Sequence, residues 1–431
     1  MSTRKRTLPT KLKDLQTQSL NKEFEGQVTV NTPMLIDKSL ARYSSDFIIC
    51  RELIQNADDA HATWFHFDMT CLNNVSLEKN FHNYYITEIR ATNNGHLFNE
   101  IDWDRVITIA DGNTDVNAVG QFGVGFFTVF SLCQEPIIIS GKECMIFFSE
   151  KDILSTMRYE LSDEQQSQLT TIILTLQKTC KLITDPTLET LLSFTKHINQ
   201  LSITINGITV FQVTKHNKLV PIFQNDIEFY IKNSVNNMFT FNSYEQTTQT
   251  FTIMNGSSLT LNHVSVQASV HIDNNFRQEI QRILKKDLPT TIRIALLFTP
   301  TTLCEQQQLC SSINKDINIK ILNSLIPLQF KNNEIIPNGY IFIGLGTHQT
   351  TGIGMHVFTH FIPTIERENL DLQNSHVSKW NKELLLSTGQ IVRFIYDQIM
   401  NKNSSINNKE EVYRFITSYS FQSSVPNNQI S

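Results

Sequence analysis

The chain has 431 residues, 40% of them hydrophobic and 18% charged, with a formal net charge of −5. That length accommodates two domains with sizeable cores and excludes a disordered chain. The acidic balance gives no global pull toward nucleic acid or an anionic membrane, and no stretch approaches the roughly 18 apolar residues of a membrane span.

The seven cysteines are odd in number and scattered. Cys304 and Cys310 do not stand at a zinc spacing, so the thiols read as reduced, as expected of a cytoplasmic or nuclear protein. Residues 1–25 read as a polar, basic tail in which Arg4, Lys5 and Arg6 are either a solvated cluster or a weak nuclear signal. Residues 401–431 form a second polar tail rich in Asn, Ser and Lys.

Between the tails two domains are expected, at 26–200 and 201–400. The first opens with helical patterns at Met34–Arg42 and Cys50–Ala60. Strands follow at Trp64–Met69 and Tyr84–Ala91, then a glycine-bearing stretch and a helix at Phe126–Leu132. Further strands lie at Ile137–Ser140, Cys144–Phe148 and Thr171–Leu176. Helices and strands are mixed without βαβ alternation, which favours an α+β sandwich over a Rossmann-like fold. The second domain shows strands at Ser202–Ile205, Ile208–Val213, Ser258–Ile272, Ile292–Phe298, Tyr340–Ile343 and Val357–Phe361. A helix at Asn275–Lys286 carries Phe276, Ile280, Ile283 and Leu284 on one stripe. A helical region over Val377–Met400 sets Trp380, Leu384, Ile391, Ile395 and Ile399 at helical spacing, with Gly389 as a break.

Three features carry chemistry. In RELIQNADDA (51–60), a helix puts Glu52, Asn56 and Asp59 on one face, while Leu53, Ile54, Ala57 and Ala60 turn toward a core. Asn93-Asn94-Gly95 follows a strand and by itself reads as a turn, since Asn-Gly is a strong hairpin signal. GQFGVG (120–125) precedes an apolar run, and backbone amides bared by glycine ahead of a helix make an anion site. An acid/amide helix, a strand with a glycine turn and a glycine-rich segment fall in that order within about 75 residues.

RELIQNADDA resembles the N box of the GHKL ATPases, and GQFGVGF is similar to their glycine-rich motif, above all that of the ninety-kilodalton heat-shock chaperone. LTTIILTL (169–176) looks like the closing strand whose Thr lies near the adenine. ELIQNADDA is nearer still to sacsin and NO VEIN type proteins and related uncharacterised fungal proteins. The stretch 340–372, followed by WNKELL (380–385), is similar to the segment after the ATPase domain in those proteins.

The resemblance implies a Bergerat-type α/β sandwich, an antiparallel mixed sheet with helices on one face, followed by an α/β transducer-like domain. It implies ATP and Mg²⁺ as cofactors. Glu52 would be the general base and Asn56 the Mg²⁺ ligand, with Asp59 ordering water on the adenine side or bracing the helix. Gly120, Gly123, Gly125 and the Phe126 amide would cradle the phosphates, and Thr170 would complete the adenine contact. From the second domain Gln349 or Arg367 would reach the γ-phosphate. The chain departs from the family at the adenine. Asn93, or Asn94 on a one-residue slip, stands where an Asp is usual before Gly95, and Leu97 replaces the second glycine. An amide oxygen still accepts a hydrogen bond but is uncharged.

The expected function is slow, Mg-dependent conversion of ATP and water to ADP and phosphate, driving a switch between two domains. The alternative is a non-hydrolysing scaffold with a degenerate site. The expected partners are ATP, a protein client the sequence does not identify and a nucleotide-dependent homodimer. The charge balance argues against nucleic acid. His348 and His356 read as histidines satisfied in a loop or on a strand.

Overall fold

Alternation along the first strand fixes which side of the sheet is the core. In β1 (Trp64–Cys71) Phe65, Phe67, Met69 and Cys71 are buried, while Trp64, His66 and Asp68 turn to the opposite face. The helix before it, α1 (Ile48–Asp59), packs Ile49, Leu53, Ile54 and Ala57 into the same core. Burying each of the larger side chains contributes about 1.5–3 kcal/mol. The computed structural model describes residues 48–72, 75, 84–108, 125–150, 153–181, 191–220, 238–284, 286–299, 322, 325–331, 334–343, 345–364, 369–402, 416 and 423–425.

After β1 come β2 (Tyr85–Asn93), α2 (Glu100–Ile107) and a 3-10 helix (Phe126–Ser131). Four strands follow, β3 (Ile137–Ser140), β4 (Glu143–Glu150), β5 (Ile153–Glu160) and β6 (Thr170–Lys181), then the short α3 (Leu191–Phe194). Next are β7 (Gln200–Ile205), β8 (Ile208–Leu219), β9 (Phe239–Ile253), β10 (Ser258–Val270), α4 (Asn274–Leu284) and β11 (Thr291–Phe298). The chain then forms β12 (Leu328–Lys331), β13 (Glu334–Pro337), β14 (Tyr340–Ile343), β15 (Leu345–Thr350), β16 (Met355–Phe358) and α5 (Ser375–Lys402).

The fold is α+β, with few helices on one large mixed sheet. Among the described residues fourteen strands run in the order β15-β14-β16-β11-β10-β9-β8-β7-β1-β2-β6-β3-β4-β5, and β12 and β13 pair separately. Most neighbours are antiparallel; β1 with β7 and β14 with β16 are parallel. The expected division at residue 200 falls at the start of β7, which pairs with β1 from Trp64↔Gln200 to Met69↔Ile205. Polar side chains lace that pair on its outer face: His66 Nδ1 and Ser202 Oγ lie 2.8 Å apart, and Thr204 Oγ1 donates to Asp68.

The β11 region is covered on both faces. Ala295 and Leu297 join the core of α1 and β1, while Ile292, Ile294, Leu296 and Phe298 join a second core with α4 and α5. Several sequence expectations change. Residues 126–131 form a 3-10 helix, not an α-helix, closed by Leu132 N–H donating to Val129 O. Gly389 does not break the C-terminal helix, because α5 runs through it with Trp380, Leu384, Ile391 and Ile395 buried along one side. Asn94-Gly95 makes no hairpin, for the chain leaves β2 toward α2. The expected helix at 34–42 lies outside the described residues.

Candidate functional site

Glu52 sits on the inner side of α1 and is only 4% exposed. Its carboxylate lies against Gly125, the residue leading into the 3-10 helix; a Cβ built on Gly125 would overlap Glu52 Oε2. Glycine leaves room there for the carboxylate, which a side chain would displace, and the backbone at the start of the 3-10 turn stands bare beside an acid. Thr128 holds that turn, donating from both its N–H (3.2 Å) and its Oγ1 (2.7 Å) to Gly125 O. Phe126 is half-buried and meets the rings of Phe127 and Phe147. One turn beyond Glu52, Asn56 is exposed, and Asp59 is half-buried at the last residue of α1.

The ends of three neighbouring strands carry the second group. Asn93 closes β2 directly opposite Thr170 at the start of β6, and Thr170 is opposite Ser140 on β3. All three are buried. The Ser140 and Thr170 hydroxyls are 2.7 Å apart, and Ser140 Oγ accepts the Phe98 N–H at 2.9 Å. Asn93 Oδ1 accepts the Gly95 N–H at 2.9 Å. Gly95 in turn presses on the end of α1, where an added Cβ would come within 2.7 Å of Ala60 O. The next residue, His96, donates its N–H to that same carbonyl. Asn94 points elsewhere: its Oδ1 accepts the N–H groups of Thr63 and Trp64, and its Nδ2 donates to Thr63 Oγ1. Of the two asparagines, Asn93 is thus the one in line with Thr170.

A carboxylate that the spacing argument passed over braces this arrangement. Asp58 accepts three consecutive backbone N–H groups, Lys196 at 2.9 Å, His197 at 2.8 Å and Ile198 at 3.0 Å. It ties α1 to the segment entering β7. Below it the fully buried Lys215 donates to Leu192 O, Thr195 O and Thr195 Oγ1. Burial pulls Lys215 down to about 7, against the opposing pull of the Asp58 carboxylate. Only the oddity of consecutive acids in RELIQNADDA marks Asp58 in the sequence, because its partners lie about 140 residues away.

The structure brings together Glu52 and Gly125, and separately Asn93, Gly95 and Thr170, with Glu52 of α1 touching the first group and Ala60, just after α1, touching the second. Gln349 is not among them. It lies on β15, at the opposite edge of the sheet order from β5, with no exposed surface, and its Nε2 donates to Thr350 O and Val425 O at 3.2 Å. Gly120, Gly123 and Arg367 lie outside the described residues. Among the described residues no cluster of three or more His, Cys, Asp or Glu side chains could hold a metal ion, and no helix is long and apolar enough to cross a membrane. The cysteines described, Cys50, Cys71, Cys133, Cys144 and Cys180, are unbridged. His356 is buried and satisfied: its Nδ1 accepts the Tyr340 N–H at 3.0 Å, and its Nε2 faces Leu325 O at 3.3 Å. His348 is exposed.

Comparison with known proteins gives two family matches and one relative. The model described as "Sacsin domain" matches residues 31–265. The one described as "Protein of unknown function (DUF3684)" matches residues 192–430. Over 126 residues, 27% of this chain, the sequence is 35% identical to human Sacsin. That match spans 3% of Sacsin's own length.

Proposed function

This chain belongs to the Sacsin domain family and, in its C-terminal half, to the DUF3684 family, and we propose that it is an ATP-binding module of Bergerat type that hydrolyses ATP slowly. The observation that carries the reading is the apposition of a buried acid on one helix to a glycine turn on another segment, Glu52 against Gly125. An acid beside bared backbone amides suits a nucleotide whose terminal phosphate is attacked by water.

The donor set fits Mg-ATP. Mg²⁺ keeps several waters and takes only one or two protein groups besides the substrate phosphates, so the exposed Asn56 beside buried Glu52 is a sufficient protein contribution. When bound, the ion would neutralise phosphate charge. Glu52 would accept a proton from the attacking water, and its burial would keep bulk solvent from competing. Gly125 and the Phe126 amide would hold the phosphate end. Asn93 and Thr170 would face the base; Asn93 Oδ1 already accepts from Gly95 but has a second lone pair. Arg367, Gly120, Gly123 and Asp59 stay in the proposal as secondary contacts, as do a conformational switch, a protein client and nucleotide-dependent pairing of two copies in the cytoplasm or nucleus; Gln349, buried and bonded to backbone at the far edge of the sheet, does not. The activity of the much longer human relative comes to this chain only as part of this proposal.

The test is calorimetric titration of the whole chain with ATP and Mg²⁺, for wild type and Asn56→Ala. Binding to the wild type that is lost or reduced about tenfold in the variant is expected. Absence of binding to a folded wild type removes the proposal. Glu52→Ala should then keep binding and lose phosphate release; turnover unchanged in that variant would exclude Glu52 as the base.

A second reading, binding without turnover, is favoured by one observation. The adenine position holds an amide whose oxygen is already engaged, where the resembled family has an aspartate. Phosphate release at background level alongside measurable ATP binding selects it.

A further inference from the structure

A cavity of about 600 Å³ opens on the face of β8–β11, between those strands and the segments around Thr195 and His360. It is lined by side chains that a sheet ordinarily turns to solvent or replaces with apolar groups: Thr247, Gln249, His263, Ser265 and Arg293. Yet Thr247, Gln249 and His263 are 6%, 3% and 5% exposed.

The polar groups are built into a fixed chain. Arg293 Nε donates to Ser265 Oγ at 2.9 Å, and its Nη2 is 3.1 Å from His263 Nε2. A guanidinium only donates, so His263 Nε2 is the acceptor and its Nδ1–H faces Thr247 Oγ1 at 3.0 Å. The histidine is thereby held neutral and the guanidinium oriented. Arg293 makes no ion pair among the described residues, although a half-buried cation is costly without one. Two further groups in the lining stand without a partner among the described residues: Gln249 Oε1 and His360 Nδ1, both buried atoms. Unmet hydrogen-bonding capacity of that kind is costly in a folded interior. A cation fixed by neutral neighbours, in a cavity with vacant acceptors, is the arrangement of a binding site.

We propose that this cavity binds a small oxyanion, a phosphate- or carboxylate-bearing molecule, anchored on Arg293, with Gln249 Oε1 accepting from a donor on the same ligand. The site is independent of the nucleotide reading and uses none of its residues. Glu245 lines the same cavity and favours the charged Arg293 without a contact ion pair among the described residues; its carboxylate opposes the anion, which sets the ligand's charge against a specific residue.

The test follows the imidazole resonances of His263 and His360 in the whole chain, labelled in histidine, during separate titrations with inorganic phosphate and citrate. A saturable shift at both histidines with one probe is expected, and which probe binds distinguishes phosphate from carboxylate ligands. Arg293→Gln should weaken that binding about tenfold or more, as for loss of a hydrogen bond to a charged group. Glu245→Gln, a change at an exposed position, should tighten it severalfold, which a merely structural role for the cavity would not do. Asn56→Ala should leave it unchanged, so failure here and failure of the nucleotide reading are distinguishable. No saturable shift with either probe overturns the proposal. So does unchanged affinity in a folded Arg293→Gln. If that variant does not fold, unchanged affinity in Glu245→Gln overturns it instead.

Discussion

Asn381 has no exposed surface and three hydrogen bonds to backbone. Its Nδ2 donates to Ile362 O and Asp371 O at 2.8 Å, and its Oδ1 accepts the Ile362 N–H at 2.9 Å. It fastens the loop after β16 onto α5, beside Trp380, whose Nε1 donates to His360 O. Asn381→Ala would leave the Asp371 carbonyl and the Ile362 amide without this partner in the interior, while Ile362 O keeps the Asp371 N–H. Urea denaturation should show a loss of about 3 kcal/mol with the m-value unchanged. The WN pair was legible in the sequence as part of a resemblance, but its physical work was not, because its partners are backbone groups that carry no sequence signal. Asp58 is the same case. Spacing along a helix selects residues that share a face, so it found Glu52, Asn56 and Asp59. It could not find a carboxylate whose partners are three amides at 196–198.

Among the elements, those with apolar alternation or an apolar stripe were legible: α1, β1 to β4, β7, β10, β11, β14 and α4 stand where the sequence puts them, within a few residues, and β6 and β8 start there but run on to Lys181 and Leu219. β9 was not. Its middle reads Ser-Tyr-Glu-Gln-Thr-Thr-Gln-Thr, and Glu245, Thr247 and Gln249 line a polar cavity, so the usual in–out hydropathy contrast is missing. The turn after Gly125 went astray for a different reason. Close approach to Glu52 and the Thr128 bonds to Gly125 O tighten it to 3-10 geometry, which apolar content cannot report. Gly389 is exposed on a helix whose other side is buried, so tertiary packing overrides its low propensity. A Cβ there meets nothing within 4 Å. Gly389→Ala should therefore stabilise the fold by about 0.5–1 kcal/mol, seen as a higher thermal midpoint.

Across the whole molecule, burial keeps several histidines neutral. It lowers His356 and His360 from 6.5 to about 4, and His263 to about 3. At His356 the geometry agrees, since a proton on Nδ1 would confront the Tyr340 N–H. The unfolded chain takes up these protons first as pH falls, so the folded state binds fewer. The stability concerned is fully present above 6.5 and is lost as pH falls through 6.5 toward 4. Denaturation at a series of pH values should show a fall on the order of 3 kcal/mol for each of these histidines over that window, with a shallower slope in His356→Gln. The parallel pairing of β1 with β7 has a further bearing, on the order in which the chain is made. β1 is complete at Cys71, but its β7 neighbour ends at Ile205. During translation the first strand must wait, with one flank of amides and carbonyls bare, until more than a hundred further residues have left the ribosome. A nascent chain stalled or cleaved before that point presents an open strand to its neighbours, so the joint between the two halves also covers the edge that β1 would otherwise leave bare.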